Sequence, residues 1–377
     1  MELPLAEFVA ASRSAEPVQA AGSPGRFAAL FGWDDLSRLL ETAPLAPPRL
    51  ELIRNGGRLA DNAFMRSRGG VARLDAGMIA HQLDHGATLL VNFADDLSAS
   101  IARLCDDLAD ALAVRTSANL YASWRAEPGL SLHADHHGVL VLQLAGRKRW
   151  TVHAPVRRDP LEGDAFAAPA DDASPVWEGL LEEGGWLYLP RGYPHVAAAI
   201  DGPSLHLTIA LSAATAHGYL SWLVDELRDD PRWRAALERS DPEDLRAAIA
   251  GAIDAGSIAR YLATRKADKV ARPRFAFPAL GRTEPAEWTA ATALRLSSRR
   301  ALAATWGEAG GQIAVGPSAW NCAPAVAAAL ARLSDRVPVA LGELESGLPP
   351  SDRAELRRLL GVLHLRGGLA SSADGVS

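Results

Sequence analysis

Two short stretches about 60 residues apart constrain what this chain can fold into more than any other feature. In the first, Leu130-Ser131-Leu132-His133-Ala134-Asp135 leads into the apolar run Val139 to Leu144. In the second, Trp186-Leu187-Tyr188-Leu189 is followed by Pro190-Arg191-Gly192-Tyr193-Pro194-His195-Val196. Residues two apart on a strand face the same side, so a strand through 130–135 turns His133 and Asp135 toward one point. The second stretch reads as a strand, a Pro/Gly turn and a new strand opening with His195. The block from about Arg115 to Ala213 is strand-rich and punctuated by Gly and Pro, which predicts a double-stranded β-helix with these side chains at its mouth.

Two imidazoles and one carboxylate form a facial ligand set that leaves three adjacent positions open on Fe(II), where a keto acid and O2 can bind together. An isolated His-x-Asp is common and by itself a weak signal. What strengthens it is the basic run Arg147-Lys148-Arg149 on the strand pair just after the ligands. A cation inside a barrel is costly unless an anion pairs with it, and the carboxylate of 2-oxoglutarate is such an anion.

Five motifs in register then carry a resemblance: Asn119-Leu120-Tyr121, His133-Ala134-Asp135, Leu142 through Trp150, Leu189 through His195, and Ser204-Leu205-His206-Leu207-Thr208. Together they resemble the JmjC-type, cupin-like ribosomal oxygenases, which hydroxylate ribosomal proteins, and the likeness extends from about Pro24 to the C-terminus. The resemblance implies that His133, Asp135 and His195 hold Fe(II). It also implies that Lys148 binds the distal carboxylate of 2-oxoglutarate with support from the Tyr121 hydroxyl, and that Asn119 and Thr208 lie near this cosubstrate. One departure stands out. Many relatives carry an acidic residue shortly after the ligand pair, whereas His136, His137 and Gly138 follow Asp135 here, which leaves the substrate more open than the metal.

Composition fits a cytoplasmic enzyme without a membrane segment. The first residues, Met1 to Glu7, have no basic and apolar leader pattern, and no apolar run reaches spanning length. Two cysteines, Cys105 and Cys322, are too few for a disulfide framework or a thiolate zinc site. A net charge of −6 argues against nucleic-acid binding through a global field. Between Arg260 and Arg300 there is a local basic excess that includes Lys269, Arg272, Arg274, Arg282, Arg299 and Arg300, but solvated linkers often look like this.

Along the chain, Leu3, Leu5 and Phe8 are candidates to pack on the core, and apolar periodicity predicts helices over Phe27 to Leu40 and Leu97 to Leu112 with a strand over Thr88 to Phe93 between them. Asp159 to Pro175 is a polar loop without periodicity. After Leu211 the pattern turns helical, broken by Pro231 and Pro242, and in the resembling family such a segment mediates dimerisation. Helix-like patterns over 330–334, 339–344 and 353–365, then Arg366-Gly367-Gly368-Leu369, suggest a winged helix, with which the resembling family also ends. The expected fold is therefore α+β in three parts: a catalytic β-helix domain over 1–213, a helical dimerisation-like domain over 214–289 and a winged-helix-like domain over 290–377. The expected function is Fe(II)- and 2-oxoglutarate-dependent hydroxylation of a protein side chain, an arginine or histidine of a ribosomal protein, by a homodimer. Hydroxylation of a small metabolite or biosynthetic peptide, demethylation, and a non-catalytic cupin-like binding role remain as alternatives.

Overall fold

Alternation along the central strands decides how the first part of the molecule is built. In the computed structural model, which describes residues 3–170, 172–267, 287–297, 303–307, 310–315 and 318–372, the chain divides into two units, Met1–Ala213 and Ala214–Ser377. The first begins with α1 (Leu5–Ala11), β1 (Val18–Ala20), α2 (Trp33–Thr42), β2 (Leu50–Arg54), β3 (Gly57–Arg58), β4 (Met65–Arg68), β5 (Val71–Leu74) and α3 (Ala76–Asp84). It continues through β6 (Thr88–Val91), α4 (Ala99–Leu112), β7 (Arg115–Ser123), β8 (Gly138–Ala145) and β9 (Arg147–Val152). It closes with β10 (Trp177–Glu182), β11 (Trp186–Leu189), β12 (His195–Ala199) and β13 (Ser204–Ser212).

Eight strands form an antiparallel sheet in the order β1-β11-β8-β13-β7-β6-β2-β3, and three form a second sheet, β10-β9-β12. Every second residue of the large sheet faces the helices: Leu120 of β7, Leu140 and Leu142 of β8, and Leu207 and Ile209 of β13 share a core with Phe8, Leu36, Ile101, Leu104 and Leu108. Each such side chain contributes about 1.5–3 kcal/mol through burial. The residues between them face the small sheet, where Val139, Val141, Leu187 and Leu189 pack on Trp150, Val152 and Leu181. The large sheet thus has one face sealed by helices and another that looks into the space where the polar residues of β7 and β13 project.

The chain steps from the large sheet to the small one at Gly146, whose φ of +65° suits glycine and where a Cβ would fall 2.1 Å from the Pro203 carbonyl oxygen. This crossing sets the alternation of β9. Lys148, Trp150 and Val152 point inward and are buried, while Arg147 pairs with Asp201 and Glu182, and Arg149 with Glu178.

Several expected elements are shifted. The segment 130–135 is not a strand, because its only pairing is an isolated bridge between His133 and His195. The helix expected from Phe27 begins at Trp33, where the Asp35 carboxylate accepts the Gly32 N–H at 3.0 Å and fixes the start; Phe27, Leu30 and Phe31 are buried in the preceding turns. The strand from Thr88 ends at Val91, since Phe93 is left-handed with φ +52°. Phe8 is fully buried, Leu3 and Leu5 pack beside it, and Cys105 lies in the core.

The second unit opens with α5 (Ala216–Glu226), α6 (Pro231–Arg234), α7 (Pro242–Ala252) and α8 (Ala255–Ala267), then β14 (Ala293–Leu296), β15 (Ala303–Gly307), β16 (Gly310–Val315) and β17 (Ser318–Cys322). It ends with α9 (Pro324–Leu330), β18 (Val339–Ala340), α10 (Leu341–Leu344), α11 (Pro350–Leu365) and β19 (Leu369–Ser371). Pro231 and Pro242 each open a helix behind an Asp cap instead of merely interrupting one. The helix expected over 330–334 lies earlier, over α9, and Val339–Ala340 is a short strand. Helices α9, α10 and α11 share a core with β14 and β19, built on Val326, Leu330, Leu341, Leu356 and Leu360. Of the basic excess before residue 300, Lys269, Arg272, Arg274, Arg282, Arg299 and Arg300 lie outside the described residues. Among the described residues no helix is long and apolar enough to cross a membrane.

Candidate metal centre

Two loops meet where β8 and β12 begin. The His133 N–H donates to the His195 carbonyl at 3.3 Å, the His195 N–H donates back at 2.8 Å, and the Gly192 N–H donates to the Asp135 carbonyl at 2.8 Å. These main-chain bonds, rather than a continuous strand, bring the carboxylate and both imidazoles to one place. One ligand atom from each of His133, Asp135 and His195 falls within 4.8 Å of the others, and His195 Nε2 is 3.7 Å from Asp135 Oδ2. With bonds of about 2.0–2.2 Å to each donor, one ion fits between them.

The imidazoles are also presented in the right form. His133 Nδ1 donates to the Ser131 carbonyl at 2.8 Å and His195 Nδ1 to the Tyr193 carbonyl at 3.0 Å. A carbonyl only accepts, so each Nδ1 carries a proton, and in the neutral ring that leaves Nε2 with a lone pair for a metal. Burial, aided by the neighbouring His133 and opposed by Asp135, pushes His195 down to about 4, which keeps it neutral at physiological pH.

Lys148 lies deeper in the same space, only 4% exposed. Its Nζ donates to Ser123 Oγ at 3.0 Å, and Ser123 Oγ is 2.9 Å from Thr88 Oγ1. Among the described residues no carboxylate pairs with it, and burial pushes its ammonium down to about 7. Tyr121 is stacked on His206 with ring centroids 4.8 Å apart, and burial raises its phenol to about 12 against the opposing hydrogen bond from Asn119. The other end of the Asn119 amide is engaged too, because Oδ1 accepts the Phe93 N–H at 3.0 Å. Asn119 therefore ties the turn after β6 to the Tyr121 hydroxyl. Thr208 lines the cavity beside it.

All seven residues singled out in the sequence line one cavity of about 140 Å³. His137 lines it as well, with Nδ1 3.2 Å from the Gly138 carbonyl, while His136 is exposed. Four neighbours escaped the sequence reading: Thr88, Ser123, Trp150 and His206. Trp150 stacks toward His195 at 5.9 Å and meets His206 edge-on at 5.8 Å. His206 is buried, its Nδ1 has no hydrogen-bond partner among the described residues, and burial together with Lys148 holds it well below the usual imidazole range. Period two was the available signal, since Ser123 is two beyond Tyr121 and His206 two before Thr208.

A JmjC domain model matches residues 92–219, which contain every residue of this site except Thr88. The bifunctional lysine-specific demethylase and histidyl-hydroxylase NO66 of Drosophila persimilis is 32% identical over 109 residues, covering 29% of this chain and 16% of that protein. Ribosomal oxygenase 1 of Gallus gallus is 26% identical over 233 residues, covering 59% of this chain and 36% of that protein. The match thus spans well under two thirds of either relative. Among solved structures, that of ycfD from Escherichia coli aligns over 98% of this chain and 99% of its own with a TM-score of 0.60 at 16% identity. At that identity the likeness speaks to the fold. A second structure of the same bacterial protein, with cobalt and 2-oxoglutarate bound, gives a TM-score of 0.55 at 17% identity over 98% of this chain and 99% of its own. The chain thus carries a match to the JmjC domain over residues 92–219 and resembles the ribosomal oxygenases in sequence and in fold.

Proposed function

We propose that the protein is an Fe(II)- and 2-oxoglutarate-dependent oxygenase that hydroxylates a protein side chain, with His133, Asp135 and His195 as the metal ligands. The observation that carries this reading is the convergence of three donors, each imidazole presenting Nε2, beside a buried lysine with no carboxylate partner among the described residues. Bound together, Fe(II) and 2-oxoglutarate supply an oxidant able to take a hydrogen atom from an unactivated carbon. The chain's own residues do the rest. Lys148 supplies the positive charge for the distal carboxylate of 2-oxoglutarate, Ser123 holds its ammonium in place, and the Tyr121 hydroxyl, oriented by Asn119, adds a hydrogen bond, with Thr208 nearby. Trp150 and the faces of Tyr121 and His206 keep water from this wall of the cavity.

The substrate in this reading is a histidine or arginine of a ribosomal protein, met in the cytoplasm. One feature favours histidine. Among the described residues Asp135 is the only carboxylate lining the cavity, and in this reading it serves the metal, so a guanidinium entering there finds no counter-charge, whereas a neutral imidazole needs none. The name of the Drosophila relative includes histidyl hydroxylation. Incubation with ribosomal proteins, Fe(II) and 2-oxoglutarate, followed by mass spectrometry, is expected to show a gain of one oxygen on a histidine. Oxidation of a small molecule with no modified polypeptide overturns the assignment.

The second unit divides in our reading into a helical dimerisation domain over 214–289 and a winged-helix-like domain over 290–377. Exposed Leu220 and Val224 on α5, and Leu237 beyond it, support a homodimer. Three helices with the sheet β18-β14-β19, and Gly367-Gly368 leading into β19, support the winged helix. A nucleic-acid role for it is not favoured: Arg357 of α11 is bound to Glu345 at 2.5 Å, and Arg353 Nε to the Leu348 carbonyl at 2.8 Å.

A further inference from the structure

A second cavity, of about 670 Å³, is lined in part by Pro190, Arg191 and Tyr193 of the turn before His195 and shares no lining residue with the metal cavity. Three separate segments contribute a guanidinium to it: Arg13 from the turn after α1, Arg158 from the loop after β9, and Arg191 from the turn before β12. Arg191 Nε is bound to Asp159 at 2.7 Å. Arg13 and Arg158 are exposed and form no ion pair among the described residues. Among the described residues Asp159 is the only carboxylate lining the cavity. Glu16 is not among the residues lining the cavity, and its carboxylate accepts the Tyr193 hydroxyl at 2.8 Å.

Apart from Ser12 and Ser14, the rest of the wall is largely apolar. Leu112, Val114 and Leu211 line it with Tyr188 and Tyr193. The Tyr193 hydroxyl also reaches the Ala15 carbonyl at 3.0 Å, which fastens the turn bearing Arg13 to the turn bearing Arg191. Three guanidiniums against one carboxylate in the lining leave this wall net positive, which favours an anion there. The planar forks of arginine match carboxylate and phosphate groups in particular. A volume of this size, part apolar and part charged, is that of a small-molecule site.

We propose that this cavity binds a small organic anion, its phosphate or carboxylate on Arg13, Arg158 and Arg191 and its body against Leu112, Val114 and the two tyrosines. The site stands apart from the oxygenase reading, because it needs neither metal nor turnover. The test is calorimetric titration of metal-free protein with inorganic phosphate, AMP and citrate. At least one probe is expected to bind saturably at one site per chain. Phosphate and AMP binding identifies a phosphoryl ligand and citrate binding a carboxylate ligand, and either supports the proposal. The double variant Arg13→Ala/Arg158→Ala is expected to bind at least tenfold more weakly, while Lys148→Ala, which alters only the metal cavity, binds as the unmodified protein does. Both arginines are exposed, so the variant is expected to keep its melting temperature, and a melting curve checks this. Absence of saturable binding by all three probes, equal binding by the double variant, or loss of binding in Lys148→Ala overturns the assignment.

Discussion

Lys148 concentrates the electrostatics of the site at a single side chain. Burial, with no carboxylate partner among the described residues, pushes its ammonium down to about 7, so without 2-oxoglutarate the pocket loses this charge as pH rises through that value. A bound dianion restores the proton, which makes the binding of 2-oxoglutarate stronger below that pH and progressively weaker above it, approaching tenfold per pH unit. Titrations from pH 6 to 9 check this; a flat profile contradicts it. The same shift carries a stability consequence. Folded Lys148 binds fewer protons than its unfolded counterpart between about 7 and its ordinary value of 10.5, so the metal-free protein gains stability as pH rises across the lower part of that window. Melting temperatures from pH 7 to 9 are expected to rise, and to rise less in Lys148→Met. Lys148→Ala is expected to increase the Michaelis constant for 2-oxoglutarate by roughly 10–100-fold, the equivalent of a lost charge-assisted contact, while leaving metal binding in place. The basic run was legible in the sequence, and so were the three residues that the fold brings together. What alternation alone hides is which of Arg147, Lys148 and Arg149 turns inward, because the answer depends on the sheet crossing at Gly146.

At the scale of elements, the ligand turn shows where a strand pattern misleads. His133 and Asp135 have the spacing of a strand, yet they converge because the Gly192 N–H holds the Asp135 carbonyl and His133 bridges His195. Such pairing joins segments far apart in the chain, and nothing local signals it. Gly192 itself has φ +85°, and a Cβ there would meet the Arg157 carbonyl oxygen and Pro160 Cδ, both at 2.8 Å. Gly192→Ala is therefore expected to cost about 1–3 kcal/mol through backbone strain and crowding, and to weaken metal binding because the turn also positions His195. Thermal denaturation and metal titration measure the two effects; an unchanged melting curve contradicts the account. The start of α2 makes a related point. Apolar periodicity from Phe27 marked residues that are buried, but the Gly32–Asp35 cap decided where the helix begins.

Across the whole molecule, the strand-rich centre and helical remainder were readable from apolar periodicity and from Pro and Gly placement, since burial imposes those patterns directly. How the helical region meets another chain was not, because an apolar face shows that it must be covered and not by what. If Leu220, Val224 and Leu237 cover one another's counterparts in a homodimer, Val224→Asp with Leu237→Asp gives a monomer in light scattering with the metal site intact; an unchanged mass removes this surface from the interface. The central claim is that His133, Asp135 and His195 hold one metal ion that keeps positions open for 2-oxoglutarate. It is tested most directly by anaerobic titration of the metal-free protein with Fe(II) and then with 2-oxoglutarate. One iron per chain, tight 2-oxoglutarate binding only after iron, and loss of both in the His133→Ala/Asp135→Ala variant are expected, whereas iron binding that survives in that variant contradicts the account.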